Sequence, residues 1–224
     1  MERSIFSQKI GIIGGGQLGK MILNETNKWS LNISILDSNK NSPCKNLCNG
    51  FYVGDLLDYE TVLNFGRQCD LITYEIEHIN VQALFDLEKE GVTVYPKPET
   101  LKIIQDKNSQ KEFYKRNELP TADFSFYSNV NDLKNGIKEG KVEFPCVWKK
   151  TKFGYDGFGV KILKSLEDLN DIPESEMIIE KLIPFQKEIA VIIARNSKGK
   201  IKNFDVVEME FNEISNQVEF VISP

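Results

Sequence analysis

Along the first part of the chain, short apolar runs alternate with amphipathic ones. Ile10-Gly11-Ile12-Ile13 is apolar throughout, the pattern of a strand buried on both faces. Residues 18–27 space their apolar side chains as a helix does, residues 31–36 read as a second strand, and Phe51-Tyr52-Val53 as a short third one. A helix over 58–67, a strand at Leu71-Ile72-Thr73-Tyr74, a helix over 81–90 and a strand at Thr93-Val94-Tyr95 follow. This alternation predicts an α/β domain on a doubly wound, Rossmann-like parallel sheet, because parallel neighbours need a crossover that a helix supplies.

The texture changes after Pro96-Lys97-Pro98, so the pattern places a domain boundary near residue 98. Two helices, over 99–104 and 108–118, are broken near Asp106-Lys107, and Leu119-Pro120 closes the second. From residue 122 the order is strand, helix (130–139), strand, loop, strand, helix, then strands rich in Ile and Val. Antiparallel strands are expected over 188–194, 202–209 and 217–222, joined by turns at 196–199 and 212–216, which makes the second domain α+β. The sequence has no internal repeat and no low-complexity tract.

At 224 residues, 41% hydrophobic and 27% charged, the chain has room for one large or two modest domains. A net charge of −5 argues against a nucleic-acid partner, which calls for a basic face. No apolar run approaches the roughly 20 residues that cross a bilayer, and Met1-Glu2-Arg3-Ser4 leads straight toward a strand, so no membrane partner and a cytoplasmic address are expected. Cys44, Cys48, Cys69 and Cys146 are too scattered for a disulfide framework and read as free thiols. The single histidine, His78, reads as solvated or hydrogen-bonded rather than as a general base.

Two glycine-rich segments change the picture. Lys149 to Gly159 (Lys-Lys-Thr-Lys-Phe-Gly-Tyr-Asp-Gly-Phe-Gly) joins two apolar runs, 144–148 and 160–163. Backbone N–H groups of such a loop converge on anionic oxygens while lysine neutralises charge, a device for nucleotide phosphates that points to ATP. Upstream, Gly14, Gly16 and Gly19 match G-x-G-x-x-G between a strand and a helix, with Asp37 18 residues beyond Gly19, where a dinucleotide ribose would be held. A nicotinamide-dependent oxidoreductase is therefore one reading. The same turn also serves other phosphorylated ligands, since its glycines only let a helix N-terminus aim at an anion.

Five motifs then stand in a particular order. They are Gly14-Gly15-Gly16-Gln17-Leu18-Gly19-Lys20-Met21; Thr73-Tyr74-Glu75-Ile76-Glu77-His78-Ile79; Gln105-Asp106-Lys107; Lys149 with Gly154-Tyr155-Asp156-Gly157; and Glu180-Lys181-Leu182-Ile183-Pro184-Phe185 followed by Lys187-Glu188-Ile189. Together they resemble the N5-carboxyaminoimidazole ribonucleotide synthases, ATP-grasp ligases of bacterial purine synthesis, over essentially the whole chain. The resemblance implies a pre-ATP-grasp domain at 1–98 and an ATP-grasp domain at 99–224, whose small subdomain covers about 120–180 and whose large subdomain begins at 181–224. It implies that ATP phosphorylates bicarbonate and that the carboxyphosphate delivers carbon dioxide to the amine of aminoimidazole ribonucleotide, with release of ADP and phosphate. Such chemistry depends mainly on positioning and charge neutralisation.

By the same resemblance, Lys107 and Lys149 touch ATP phosphates, with Gly154, Gly157 and Gly159 supplying the loop. Glu180, Lys181, Leu182 and Ile183 form the hinge that reads the adenine edge, and Glu188 accepts the ribose hydroxyls. Gly16, Gln17, Leu18 and Glu75 contact the ribonucleotide, although alternation leaves Glu75 and Glu77 hard to separate. Tyr155 and Asp156 line the carboxylation site, where Asp156 is the first choice to orient the amine or take its proton. A homodimer is implied for the full-length enzyme.

The sequence departs from the family pattern in three respects. Phe153 stands where a further glycine is usual, and Phe158 where a basic residue is usual, which removes one substrate contact. Phe211 replaces a histidine that touches nucleotide in some members. The family's magnesium-holding glutamate and its asparagine-glutamate pair fall beyond residue 224, so ATP and Mg2+ are both expected but no metal ligand is named. The ATP-grasp domain is expected to be incomplete, and the 224 residues alone are expected to bind nucleotide without turning it over.

Three alternatives stay open at this stage: a formate-using glycinamide ribonucleotide ligase of the same class, the nicotinamide oxidoreductase, and a degenerate ATP-grasp protein that binds nucleotide only. Gly14 to Gly19 and the short 154–157 loop count against the first. Separate titrations with ATP and NAD divide the classes. ATP is expected to bind, and a response to NAD with none to ATP would remove the ligase reading.

Overall fold

The computed structural model describes residues 4–154, 159–212 and 217–223, and the chain divides into two compact units, 1–110 and 111–224. The first unit carries β1 (Lys9–Ile13), α1 (Gln17–Thr26), β2 (Asn32–Asp37), β3 (Gly50–Val53), α2 (Tyr59–Gly66), β4 (Leu71–Tyr74), α3 (Val81–Lys89), β5 (Thr93–Val94) and α4 (Pro98–Ile104). Its sheet runs β3-β2-β1-β4-β5 with every neighbouring pair parallel, the doubly wound order expected.

Alternation along the strands divides the core. Ile10, Ile12, Ile33 and Ile35 pack with Leu23 of α1 and Cys44 on one side, while Ile13, Leu36 and Ile72 pack with Val62, Leu84 and Leu87 of α2 and α3 on the other. Helix starts follow local chemistry: Asp58 accepts from Thr61 N at 2.7 Å and Asn80 from Ala83 N at 3.0 Å, satisfying amides that lack a partner in the first turn. The first unit also extends past the boundary expected near residue 98. Leu101 of α4 is buried in its core, and Gln105 Nε2 donates to the carbonyls of Glu77 and Ile79, both at 2.7 Å.

α5 (Lys107–Arg116) is capped by Asp106, whose Oδ1 accepts from Ser109 N at 2.9 Å. This accounts for the helix break read at Asp106-Lys107. The second unit continues with β6 (Phe124–Tyr127), α6 (Val130–Lys138), β7 (Cys146–Lys150), β8 (Val160–Leu163) and β9 (Met177–Lys181), in an antiparallel sheet ordered β6-β9-β7-β8. The helix expected after β8 is a short 3-10 segment, Leu166–Asp171, capped by Ser165. Tyr127, Cys146, Trp148, Leu163, Met177 and Ile179 face Val130 and Leu133 of α6, so this sheet face is covered.

The last part differs from the three strands expected. β10 (Glu188–Ala190), β11 (Ile193–Arg195), β12 (Ile201–Asn203), β13 (Val207–Phe211) and β14 (Val218–Ile222) form two sheets, β10-β13-β14 and β11-β12. Ala190 pairs with Val207 and Ile193 with Asn203, so residues 191–192 on one arm oppose 204–206 on the other. That extra residue is a bulge, which breaks the ladder and divides one long hairpin into two. Of the turn expected at 212–216, residues 213–216 lie outside the described residues. Among the described residues no helix is long and apolar enough to cross a membrane.

Gly11 tests the packing of the first unit. A Cβ there would meet Ile72 Cδ1 at 2.5 Å, Cys69 Sγ at 2.7 Å and Phe65 Cε1 at 3.0 Å. Gly11→Ala is expected to lower stability by roughly 1–3 kcal/mol through overpacking, read as a fall in the urea midpoint at unchanged slope.

Candidate functional site

In the first unit, strand order does the assembling. β2, β1 and β4 are neighbours and parallel, so Asp37, the glycine turn and Glu75 emerge at the same edge of the sheet. Gly15 N donates to Asp37 Oδ2 at 2.6 Å and Gly16 N donates to Glu75 Oε1 at 2.9 Å. Ser42 Oγ, buried, donates to the Gly15 carbonyl, and Cys44 Sγ lies 3.8 Å from the Gly16 carbonyl. Gly14 has a φ of +100°, and a Cβ on it would lie 2.7 Å from Glu75 Cγ, so both backbone angle and space call for glycine. Burial pushes the Cys44 thiol up to about 11, which leaves it protonated and unreactive at neutral pH.

These contacts narrow the chemistry of the turn. The Gly15 and Gly16 amides already serve carboxylates, and Asp37, the residue that would hold a dinucleotide ribose, spends its other oxygen on Asn39 N at 2.6 Å. A pyrophosphate there would face two carboxylates instead of two free amides, which counts against the nicotinamide reading. The structure brings Gly16 and Glu75 together, with Gln17 and Leu18 exposed beside them at the start of α1. The structure also separates the two acids that alternation could not. Glu75 holds the turn, whereas Glu77 lies farther along the same loop, where its carbonyl accepts from Gln105.

In the second unit, Glu180 pairs across the sheet with Val147 and Phe124, and Ile178 with Lys149 and Phe126. Alternation sends these residues to the face opposite α6. With Val160 and Ile162 they form an apolar surface on which Phe126, Val160 and Ile162 are exposed. Two charged groups are set into it. Glu180 is buried, and its Oε2 accepts from Lys149 Nζ at 2.8 Å. Lys149 keeps 29% of its side chain exposed and so retains N–H groups for a ligand.

At the end of β9 Lys181 is exposed, and just beyond it Leu182 is half-buried and Ile183 exposed, so this part of the hinge lies at the surface. An open cleft of about 570 Å³ adjoins it, lined by Asp123, Phe124, Phe144, Glu180, Lys181 and Leu182 among others. The glycine loop closes on itself: Lys150 N donates to the Gly159 carbonyl at 2.8 Å, and a Cβ on Gly159 would lie 3.5 Å from Gly154 Cα. Phe153 has a φ of +58°, in the region that favours glycine.

Other expected site residues are less closely tied to this centre. Lys107 is the first residue of α5, and Glu188 stands exposed at the start of β10, opposite Met209. Tyr155, Asp156, Gly157 and Phe158 lie outside the described residues. Among the described residues no three His, Cys, Asp or Glu side chains gather to hold a metal ion, and the ligands expected for Mg2+ fall beyond residue 224. The sequence reading missed Lys111. Its Nζ stands 3.1 Å from Glu180 Oε1, and it is the buried lysine of α5. Periodicity carries no signal for it, because a lysine on a polar helix reads as solvated.

Comparison with known proteins bears on the family of each part of the chain. Residues 7–105 match the family described as the ribonucleotide synthetase preATP-grasp domain, and residues 112–223 match the ATP-grasp domain. The N5-carboxyaminoimidazole ribonucleotide synthase of Synechococcus elongatus is 30% identical over 222 residues, covering 97% of this chain and 55% of that protein. The solved N5-carboxyaminoimidazole ribonucleotide synthetase of Thermotoga maritima is similar with a TM-score of 0.80 at 40% identity, over 90% of this chain and 53% of that one. The N5-carboxyaminoimidazole synthase of Aspergillus clavatus, in complex with ADP and 5-aminoimidazole ribonucleotide, gives a TM-score of 0.82 at 26% identity, over 94% and 56%. The chain spans about half the length of these relatives.

Removing the Glu180 carboxylate would leave Lys111 and Lys149 facing each other with nothing between them. Glu180→Ala is expected to cost roughly 3 kcal/mol, the low end for breaking a buried ion pair because Lys149 keeps partial access to water. Thermal unfolding of the variant beside the parent checks this.

Proposed function

We propose, for a chain that belongs to the ATP-grasp family, that it serves an ATP-dependent ligase carboxylating 5-aminoimidazole ribonucleotide with bicarbonate. The observation that carries the reading is the Lys149–Glu180 pair set into an open apolar sheet face beside a glycine loop and a surface hinge. An adenine ring suits the apolar part, hinge main-chain groups suit its polar edge, and Lys149 suits the phosphates. Lys107, the amides of Gly154, Gly157 and Gly159, and the carboxylate of Glu188 complete the proposed nucleotide contacts. The complex of the Aspergillus clavatus relative with ADP and the ribonucleotide supports both ligands.

In this reading a bicarbonate oxygen attacks the γ-phosphorus of ATP and ADP leaves, giving carboxyphosphate. Its breakdown releases phosphate and carbon dioxide, the ribonucleotide amine attacks the carbon, and one proton is lost. Asp156 would take that proton beside Tyr155, and the turn at Gly16, Gln17 and Leu18 with Glu75 would hold the ribonucleotide. Glu75 is suited to an amine because its carboxylate is held in one orientation by Gly16 N. Magnesium, when bound, would supply positive charge that neutralises the phosphates. A cytoplasmic address and a homodimer of the full-length enzyme belong to the same reading.

The test is bicarbonate-dependent phosphate release from ATP, stimulated by the ribonucleotide, in the full-length protein. Lys149→Ala is expected to weaken ATP binding by roughly 1.5–3 kcal/mol, the worth of a hydrogen bond to a charged group, and also to lower the melting temperature, because buried Glu180 loses one of its two cations. Unchanged ATP affinity in that variant would overturn the nucleotide assignment.

A further inference from the structure

Lys111 differs from Lys149 in how its charge is used. It is 9% exposed, and its Nζ donates to Thr121 Oγ1 at 2.5 Å and to the Ala122 carbonyl at 3.5 Å. It also stands 5.8 Å from the centroid of the Phe124 ring. Its approach to Glu180 Oε1, at 3.1 Å, has ion-pair distance without hydrogen-bond alignment, and that oxygen is buried with no hydrogen-bond donor. Thr121 and Ala122 therefore hold the ammonium, and its charge falls on Glu180. Lys149, which shares the same carboxylate through Oε2, is the more exposed of the two.

We propose that Lys111 is a positioning residue for nucleotide binding: by balancing Glu180 from the protein side, it leaves the charge of Lys149 available to an anionic ligand. The charges can be followed. Two lysines and one carboxylate give a cluster of net +1, in a setting where burial strengthens each interaction. Without Lys111, the carboxylate has only Lys149 to neutralise it, the net charge falls to zero, and a phosphate must compete with Glu180 for the remaining ammonium. With both Lys111 and Glu180 neutral, Lys149 alone restores +1. The inference rests on the reading that Lys149 faces nucleotide phosphate, and adds to it a residue that touches no ligand.

The experiment titrates ATP, by calorimetry, into the full 224-residue chain and its variants, with melting temperatures recorded alongside. Lys111→Met is expected to weaken ATP binding about tenfold, a neutralised charge close to the phosphates. The pair Lys111→Met with Glu180→Gln is expected to return to within about twofold of the parent, and Glu180→Gln alone, at net +2, to bind more tightly than the parent. That rescue is a readout which loss of packing would not give. An unaltered Kd in Lys111→Met, or a double variant as weak as the single, would overturn the proposal. Should Lys111→Met not fold, Glu180→Gln alone decides, and weaker binding there refutes it. Lys149→Ala separates the two readings: if that variant binds ATP as well as the parent, the nucleotide site itself is misplaced.

Discussion

A carboxylate buried in an apolar sheet face is costly unless cations meet it, and the centre of the second unit is arranged around that requirement at Glu180. Oε2 is met by Lys149 from the neighbouring strand and Oε1 by Lys111 from α5. Neither lysine alone would suffice without losing its freedom to do anything else. The register of β7 and β9 brings Val147 opposite Glu180 and Lys149 two residues farther along on the same face. The covered face, with Trp148, Met177 and Ile179, keeps the sheet rigid beneath them. Chemistry and packing thus use alternate residues of the same strands, as the two-residue period of a strand permits.

The first unit meets a similar need with the signs reversed. There the buried polar groups are backbone amides at the turn after β1, and the carboxylates of Asp37 and Glu75 come from the two flanking strands to satisfy them. A glycine turn usually read as an anion cradle becomes, with these partners, a fixed scaffold of mixed polarity. Gln105 applies the same logic at longer range, closing two carbonyls of the loop after β4 with one side-chain amide.

What was legible in the sequence follows from these differences. The doubly wound sheet showed because a buried parallel strand and an amphipathic helix have distinct periods, and the caps at Asp58 and Asn80 follow local rules. The Lys149 loop showed because glycines and a lysine flank two apolar runs. Lys111 did not, since only its contact with Glu180, far along the chain, distinguishes it from the solvated lysines of α5. The role of Asp37 stayed open for a related reason: its spacing to the glycine turn suits a ribose, but a spacing does not say whether a carboxylate faces a ligand or the turn itself. The attachment of α4 to the first unit likewise depends on Leu101 and Gln105, not on the prolines that mark the change of texture.

The unequal arms of the last hairpin have a consequence for how that region tolerates change in length. Two residues, 191–192, lie opposite three, 204–206, so the return arm shifts its phase by one residue between β12 and β13. Positions of equal parity on the two sides of that step therefore present opposite faces. Deleting one residue from 204–206 would bring the arms into step with every pair and facing kept, whereas adding one would widen the mismatch that already separates the two ladders. In this stretch the direction of a length change matters more than its size.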